Sequence, residues 1–183
     1  RDADPRNIAS LKGLERLYAR SGNHEGLLKS LEAQVPLAAT ARQKAELGNR
    51  VGALLEEEFV DHKRAAEAYE EVTRVDPAND QGLRGLGRTL RVLGRWDDLA
   101  TLLERHATIV DDATKKTELL VAAGRVLLDP IGALDRAQRC FERALEVDKS
   151  NAAALDAMGR IAGLKGDVRA ATEAYEQLAQ GAK

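Results

Sequence analysis

Two stretches decide the fold: DPANDQGLRGLGRTLRVLGRWDDLATLLER, from Asp76 to Arg105, and DPRNIASLKGLERLYARSGNHEGLLKSLEA, from Asp4 to Ala33. They say nearly the same thing 72 residues apart. Sliding the chain on itself by that interval superimposes 4–75 on 76–147 without a gap, and 21 of the 72 pairs are identical. A third, partial copy starts at Asp148, with Asn151, Leu155, Gly159, Arg160 and Gly166 in register. A period of this kind marks an array of small structural units stacked on one another.

Each 72-residue copy is itself composite. Apolar residues recur three and four apart, as in Leu83, Leu86, Leu90 and Leu93 and again in Leu99, Leu102, Leu103 and Ala107. That is the spacing of an amphipathic helix. Gly22, Gly94 and Gly166 follow helical runs as helix-ending glycines do, and Asp4-Pro5 and Asp76-Pro77 stop one helix and open the next. The pattern predicts ten helices, at about 7–20, 24–37, 41–58, 62–75, 80–93, 96–110, 114–128, 131–147, 152–165 and 168–180, and no strand. Small residues at Gly52, Gly87, Gly124 and Gly159 are expected where paired helices approach closely.

Composition agrees with helices and excludes several other classes. Charged residues make up 32 % and hydrophobic ones 44 %, with only 3 % aromatics, so the chain is dominated by Ala, Leu, Glu and Arg, which are strong helix formers. The formal net charge of −2 lacks the bulk basicity with which a protein holds nucleic acid, and no nucleic-acid partner is expected. The lone cysteine, Cys140, rules out an intramolecular disulfide and a cysteine-cluster metal site. No run reaches the roughly 18 apolar residues of a membrane helix, and the N-terminus lacks the order of a signal peptide, so no membrane insertion is expected and the cytoplasm is the expected compartment.

These residues resemble the tetratricopeptide repeat, a helix-turn-helix unit of 34 residues with a large-x2-Leu-Gly-x2-Tyr first helix and an Ala-x3-Phe second helix ending at proline. Leu83-x2-Leu86-Gly87-x2-Leu90 is similar to that first helix, as are Leu11-x2-Leu14-Glu15-x2-Tyr18 and Leu155-x2-Met158-Gly159-x2-Ala162. The second-helix pattern stands in Ala65-x3-Tyr69 followed by Pro77, in Ala137-x3-Phe141 and in Ala171-x3-Tyr175. The chain departs from the family in alternating units of about 37 and 35 residues, and in having Leu or Gly for the expected tryptophan; the only tryptophan, Trp96, opens a second helix. The resemblance implies an all-α, right-handed superhelical solenoid of five antiparallel helix-turn-helix units, at about 4–40, 41–75, 76–112, 113–147 and 148–183, within a single 1–183 domain. Arg1-Asp2-Ala3 is in register with Thr73-Arg74-Val75 at the end of a second helix, which predicts that the array starts in mid-course and belongs to a longer protein.

The constellations that suggest chemistry have simpler structural explanations. Gly82-x2-Gly85-x-Gly87 lacks the dinucleotide spacing and follows a turn, so these are expected as packing glycines. His24, His62 and His106 are spread over three helices and are expected as solvated surface residues, and Cys140 as a small buried hydrophobe. Glu56-Glu57-Glu58 looks like a solvated helix end. No nucleophile, base and orienting group come together, so no enzymatic activity, metal or cofactor is expected.

The positive signal is charge on the first helices, which the resemblance places along a concave groove. Lys12, Arg16, Arg20, Arg84, Arg88, Arg91, Arg125 and Arg160 form a basic stripe there, interrupted by Asn49, Glu56 and Asp156. Such a stripe suits an acidic peptide or a C-terminal carboxylate, although some of these cations are equally suited to pair with acids on neighbouring helices. The carboxylate-clamp subfamily uses a Lys/Asn set that Lys12, Gly13 and Arg16 do not reproduce. Two functions follow: a non-catalytic module or scaffold that holds a segment of another protein in the groove, or a structural spacer of a longer array that is monomeric or weakly self-associating.

Overall fold

The computed structural model describes residues 8–181, which form ten α-helices. The Asp4-Pro5 start signal and the register of Arg1-Asp2-Ala3 lie outside the described residues. The helices fall into two compact units, one ending at Gly94 and the other starting at Arg95. Helices α1 (Ile8–Ser21), α2 (His24–Gln34), α3 (Ala41–Glu57), α4 (His62–Val75) and α5 (Asp80–Val92) make the first. Helices α6 (Trp96–Ile109), α7 (Ala113–Val126), α8 (Leu134–Val147), α9 (Ala152–Leu164) and α10 (Val168–Gly181) make the second. Within each unit a helix packs on its neighbours in sequence and on the one after next, α3 on α5 and α7 on α9. No strand occurs among the described residues.

The starts follow from side chains that satisfy otherwise unpaired backbone N–H groups. Asn23, Thr40, Asp61, Asn79, Asp112 and Asn151 each accept a hydrogen bond from the amide three residues on. The ends follow from left-handed glycines: Gly22, Gly94 and Gly166 have φ of +66°, +66° and +78°. Two predicted boundaries move, both at prolines. The run at 24–37 is α-helical only to Gln34 and finishes as a 3₁₀ turn over Val35–Leu37, because Pro36 has no amide to donate. The run expected from 131 starts at Leu134 instead. Ahead of it α7 widens into a π turn over Leu127–Ile131 that accommodates Pro130, and Gly132 at φ +74° breaks it off.

The same turn closes α3, and comparing the two exposes a strained residue. Ala133 donates to the Leu127 carbonyl at 2.8 Å, and its repeat equivalent Asp61 donates to the Leu55 carbonyl at 2.9 Å. Where the later copy has Gly132, the earlier has Val60, held at φ +53° with its side chain 66 % exposed. A β-branched residue in the left-handed region is strained by about 1–3 kcal/mol, against a smaller entropic loss for glycine. Val60→Gly should therefore stabilise the protein by about 1 kcal/mol in thermal or denaturant unfolding.

The core is made of rings seated on glycines. In each second helix that carries the Ala-x3-aromatic pattern, the ring covers a glycine of the preceding helix: Tyr69 on Gly52, Phe141 on Gly124, Tyr175 on Gly159. Any side chain at these glycines would start within 2.7 Å of ring carbons. Tyr69 is enclosed further, because Gly85 of α5 lies against its other side. Around Phe141, the second unit gathers Leu120, Leu127, Ala137, Ala144 and Ile161 into one buried cluster.

Candidate functional site

A cleft of about 510 Å³ opens in the first unit between α1 and α3. Ile8, Lys12, Glu15 and Arg16 come from one side and Gln43, Glu46, Leu47 and Arg50 from the other. Gln34 and the 35–40 connection, through Leu37, Ala38 and Ala39, close one end. These positions follow from helix period: residues 8, 12, 15 and 16 share one stripe of α1, and 43, 46, 47 and 50 one stripe of α3.

The cleft is chemically two-sided. Glu15 accepts hydrogen bonds from Arg50 Nη2 at 2.6 Å and Gln34 Nε2 at 2.7 Å. Burial raises the Glu15 pKa, but these bonds and the charges of Arg50 and Lys12 outweigh it and leave the carboxyl below its ordinary value. Arg50 is thereby committed to Glu15. Lys12 and Arg16 are exposed and make no ion pair among the described residues, and they stand beside Ile8, Leu37 and Leu47. The cleft therefore offers uncommitted cations next to apolar surface.

The rest of the basic stripe is distributed differently. Arg20, Arg91 and Arg125 are exposed on α1, α5 and α7 and do not line the cleft. Arg84 pairs with Asp80 at 2.5 Å within α5. Arg88 reaches α3, where its Nε and Nη2 donate to Glu56 at 3.0 and 2.9 Å. Arg160 pairs with Asp129 at 3.0 Å. Asn49 is buried rather than presented: its Nδ2 donates to Asn79 Oδ1 at 2.9 Å, the same oxygen that caps α5 through the Gly82 amide. Asn49 thus ties α3 to the start of α5.

Glu56 corrects the expectation of a solvated acidic helix end. Its side chain is 16 % exposed, and besides Arg88 it accepts a hydrogen bond from the Tyr69 hydroxyl at 3.2 Å. Hydrogen bonds from Arg88 hold its pKa down, overcoming the opposing effect of burial. A carboxylate depressed on folding contributes stability above its unfolded value, and that contribution is lost as pH falls through the folded value. The difference in Tm between the wild type and Glu56→Gln should therefore be largest near neutral pH and close as pH falls below 4.5. Among its neighbours in the run, Glu58 lies 2.9 Å from Nδ1 of His24, a half-buried residue rather than a solvated one.

The other constellations are structural as well. Gly82 and Gly85 seat α5 against Val72 and Tyr69 of α4. Cys140 is buried, its thiol donates to Glu104 at 3.1 Å, and burial together with that carboxylate pushes its pKa up to about 12. No group of three metal-ligating side chains converges among the described residues, and none of the described helices is long and apolar enough to cross a membrane.

Glu15, Gln34, Leu37, Leu47 and Arg50 were not singled out from sequence. A signal for two of them is visible: Glu15 and Arg50 stand where the second copy has Gly87 and Ala122, so the polar lining is where the copies diverge. Leu37 enters through the 3₁₀ turn, which periodicity does not resolve.

With this geometry in place, comparison with known proteins is informative. Residues 83–117 match the family model of the tetratricopeptide repeat. No curated protein sequence matches the chain significantly. Solved structures do. The "MamA 41-end from Desulfovibrio magneticus RS-1" superimposes with a TM-score of 0.52 at 17 % identity, over 97 % of this chain and 95 % of that one. PilF of Pseudomonas aeruginosa gives 0.53 at 18 % identity, over 95 % and 76 %. YrrB, described as "a TPR protein with an unusual peptide-binding site", gives 0.55 at 19 % identity, over 97 % and 88 %. Identities this low speak for the fold alone, an array of antiparallel helices. Residues 83–117 thus carry the tetratricopeptide-repeat signature, within a helical fold similar to that of YrrB, which is described as a TPR protein.

Proposed function

We propose that the protein is a non-catalytic interaction module that binds an acidic, partly apolar segment of another protein in the α1–α3 cleft. The observation that carries this is the pairing of uncommitted Lys12 and Arg16 with Ile8, Leu37 and Leu47 around a cavity of about 510 Å³. A cavity of this size accommodates one or two side chains of an extended segment. The cations suit a carboxylate at its edge, and the aliphatic residues suit an apolar neighbour. The similar fold of YrrB, a protein described as having a peptide-binding site, favours the same use of a helical-repeat surface.

Arg84, Arg88 and Arg160 are engaged in ion pairs, so they serve this module chiefly as structural residues. Arg88→Glu would set like charge against a largely buried Glu56 and report on folding rather than on binding.

The test is a selection of displayed random peptides on the immobilised chain. Peptides with Asp or Glu beside an aliphatic or aromatic residue should be enriched. Their affinity should fall about tenfold or more on Lys12→Glu/Arg16→Glu and weaken as salt rises. Enrichment without acidic bias, or binding indifferent to both substitutions, would count against the proposal.

A further inference from the structure

The two copies of the repeat keep the same charges on their first helices but neutralise them differently. In the later copy Arg84 pairs with Asp80 at 2.5 Å and Glu118 with Lys115 at 3.8 Å, each partner standing on the same helix. In the earlier copy the charges remain as Lys12 and Glu46 while their partners are replaced: Ile8 stands at the register of Asp80, and Gln43 at that of Lys115. Lys12 and Glu46 are exposed and make no ion pair among the described residues. The other bases of α3 do not substitute. Arg50, four residues after Glu46, is held by Glu15, and Arg42, four residues before it, forms no ion pair among the described residues. All four positions, 8, 12, 43 and 46, line the α1–α3 cleft.

Register puts these two charges on opposite walls of the cleft. Short connections make α2 antiparallel to both α1 and α3, so α1 and α3 run the same way. The bond from Arg50 to Glu15 at 2.6 Å fixes their offset. Lys12 lies three residues before Glu15 and Glu46 four before Arg50, which is about one helical turn back on each wall. The cleft is thus clamped by an ion pair at one level and lined at the next by a cation on α1 and an anion on α3 that do not meet. Gln43 adds no charge there, and its Oε1 is taken by the Ala39 amide at 3.1 Å.

We propose that the segment held in the cleft carries a lysine or arginine next to its acidic residue, the acid meeting Lys12 and the base meeting Glu46. This rests on the reading of the cleft as a site for an acidic segment, and adds to it a second, opposite charge. Successive side chains of an extended segment point to opposite sides, so neighbours in sequence reach opposite walls. The acid therefore faces α1, while the base and the apolar residue that flank it both face α3, with Glu46 and Leu47. Glu46 also sets like charge against any acid on that wall, which makes a uniformly acidic segment a poorer fit than a mixed one.

Selection of displayed random peptides tests this when it is run in parallel on the wild type, Glu46→Gln and Glu46→Lys. Glu46 is exposed, and circular dichroism should show both variants folded as the wild type. On the wild type, Lys or Arg should be enriched beside the acid. On Glu46→Gln the acid should stay enriched while the base falls to its background frequency, and on Glu46→Lys a second acid should take the place of the base. A synthetic peptide with the selected acid and base should bind Glu46→Gln about two- to fivefold more weakly than the wild type, the range of an exposed ion pair. The same peptide with glutamine for the base should bind both chains alike. Acidic peptides selected without a neighbouring base, or a base preference unchanged in both variants, would overturn this inference and leave the acidic-segment reading standing. Selected peptides without an acidic residue would overturn both.

Discussion

Tyr69→Ala should lower the unfolding free energy by about 3–5 kcal/mol, the range seen when a large buried ring is deleted and its cavity collapses only in part. The ring is 1 % exposed and holds three helices together, meeting α3 at Gly52 and α5 at Gly85 while belonging to α4. Glycine on both sides leaves no neighbouring side chain to swing into the void. Tyr69→Phe should cost far less, about 1 kcal/mol, since it keeps the packing and loses only the hydroxyl bond to Glu56. The second copy supports this ranking: it has Phe141 at the same register, and there Glu56 is replaced by the buried Leu128. Hydroxyl and carboxylate disappear together. Chemical denaturation of the two variants side by side would separate packing from hydrogen bonding.

Gly85→Ala should be the next most damaging, although alanine is the better helix former. The gain in propensity is about 0.5–1 kcal/mol, while overpacking a filled core costs about 1–3 kcal/mol. Overpacking wins here because the new methyl would overlap the Tyr69 ring, which cannot retreat: Gly52 backs it on the other side and Glu56 holds its hydroxyl. Gly13→Ala, at the same register of the first copy but with nothing near it among the described residues, should be stabilising by about 0.5–1 kcal/mol. Opposite signs for one substitution at two equivalent positions would be hard to obtain from propensity alone. In the Tyr69→Ala background the penalty at Gly85 should vanish, a coupling that a double-mutant cycle measures directly.

Much of the fold was legible because its signals are local and repeated. The 72-residue period, the apolar spacing and the glycines at 22, 94 and 166 place every helix to within a few residues. Gly52 was expected where paired helices approach closely, and the structure seats the Tyr69 ring on it. What was less legible depends on partners distant in sequence. The side chains of Arg88 and Arg16 share a register, yet one meets Glu56 and the other opens onto a cleft. Asn49 looked like a groove residue by spacing, and is buried because the Asn79 cap lies within its reach. The strain at Val60 was invisible until the two copies of one turn were compared.

The central claim is that the α1–α3 cleft holds an acidic segment, and backbone amide chemical-shift mapping with a selected acidic peptide tests it most directly. Amides of residues 8–16 on α1 and 37–50 around the 3₁₀ turn and α3 should move together and saturate, and Lys12→Glu/Arg16→Glu should abolish the shifts while leaving the remaining spectrum unchanged. Shifts that cluster on α5 around Arg84 and Arg91, or that survive the double substitution, would contradict it.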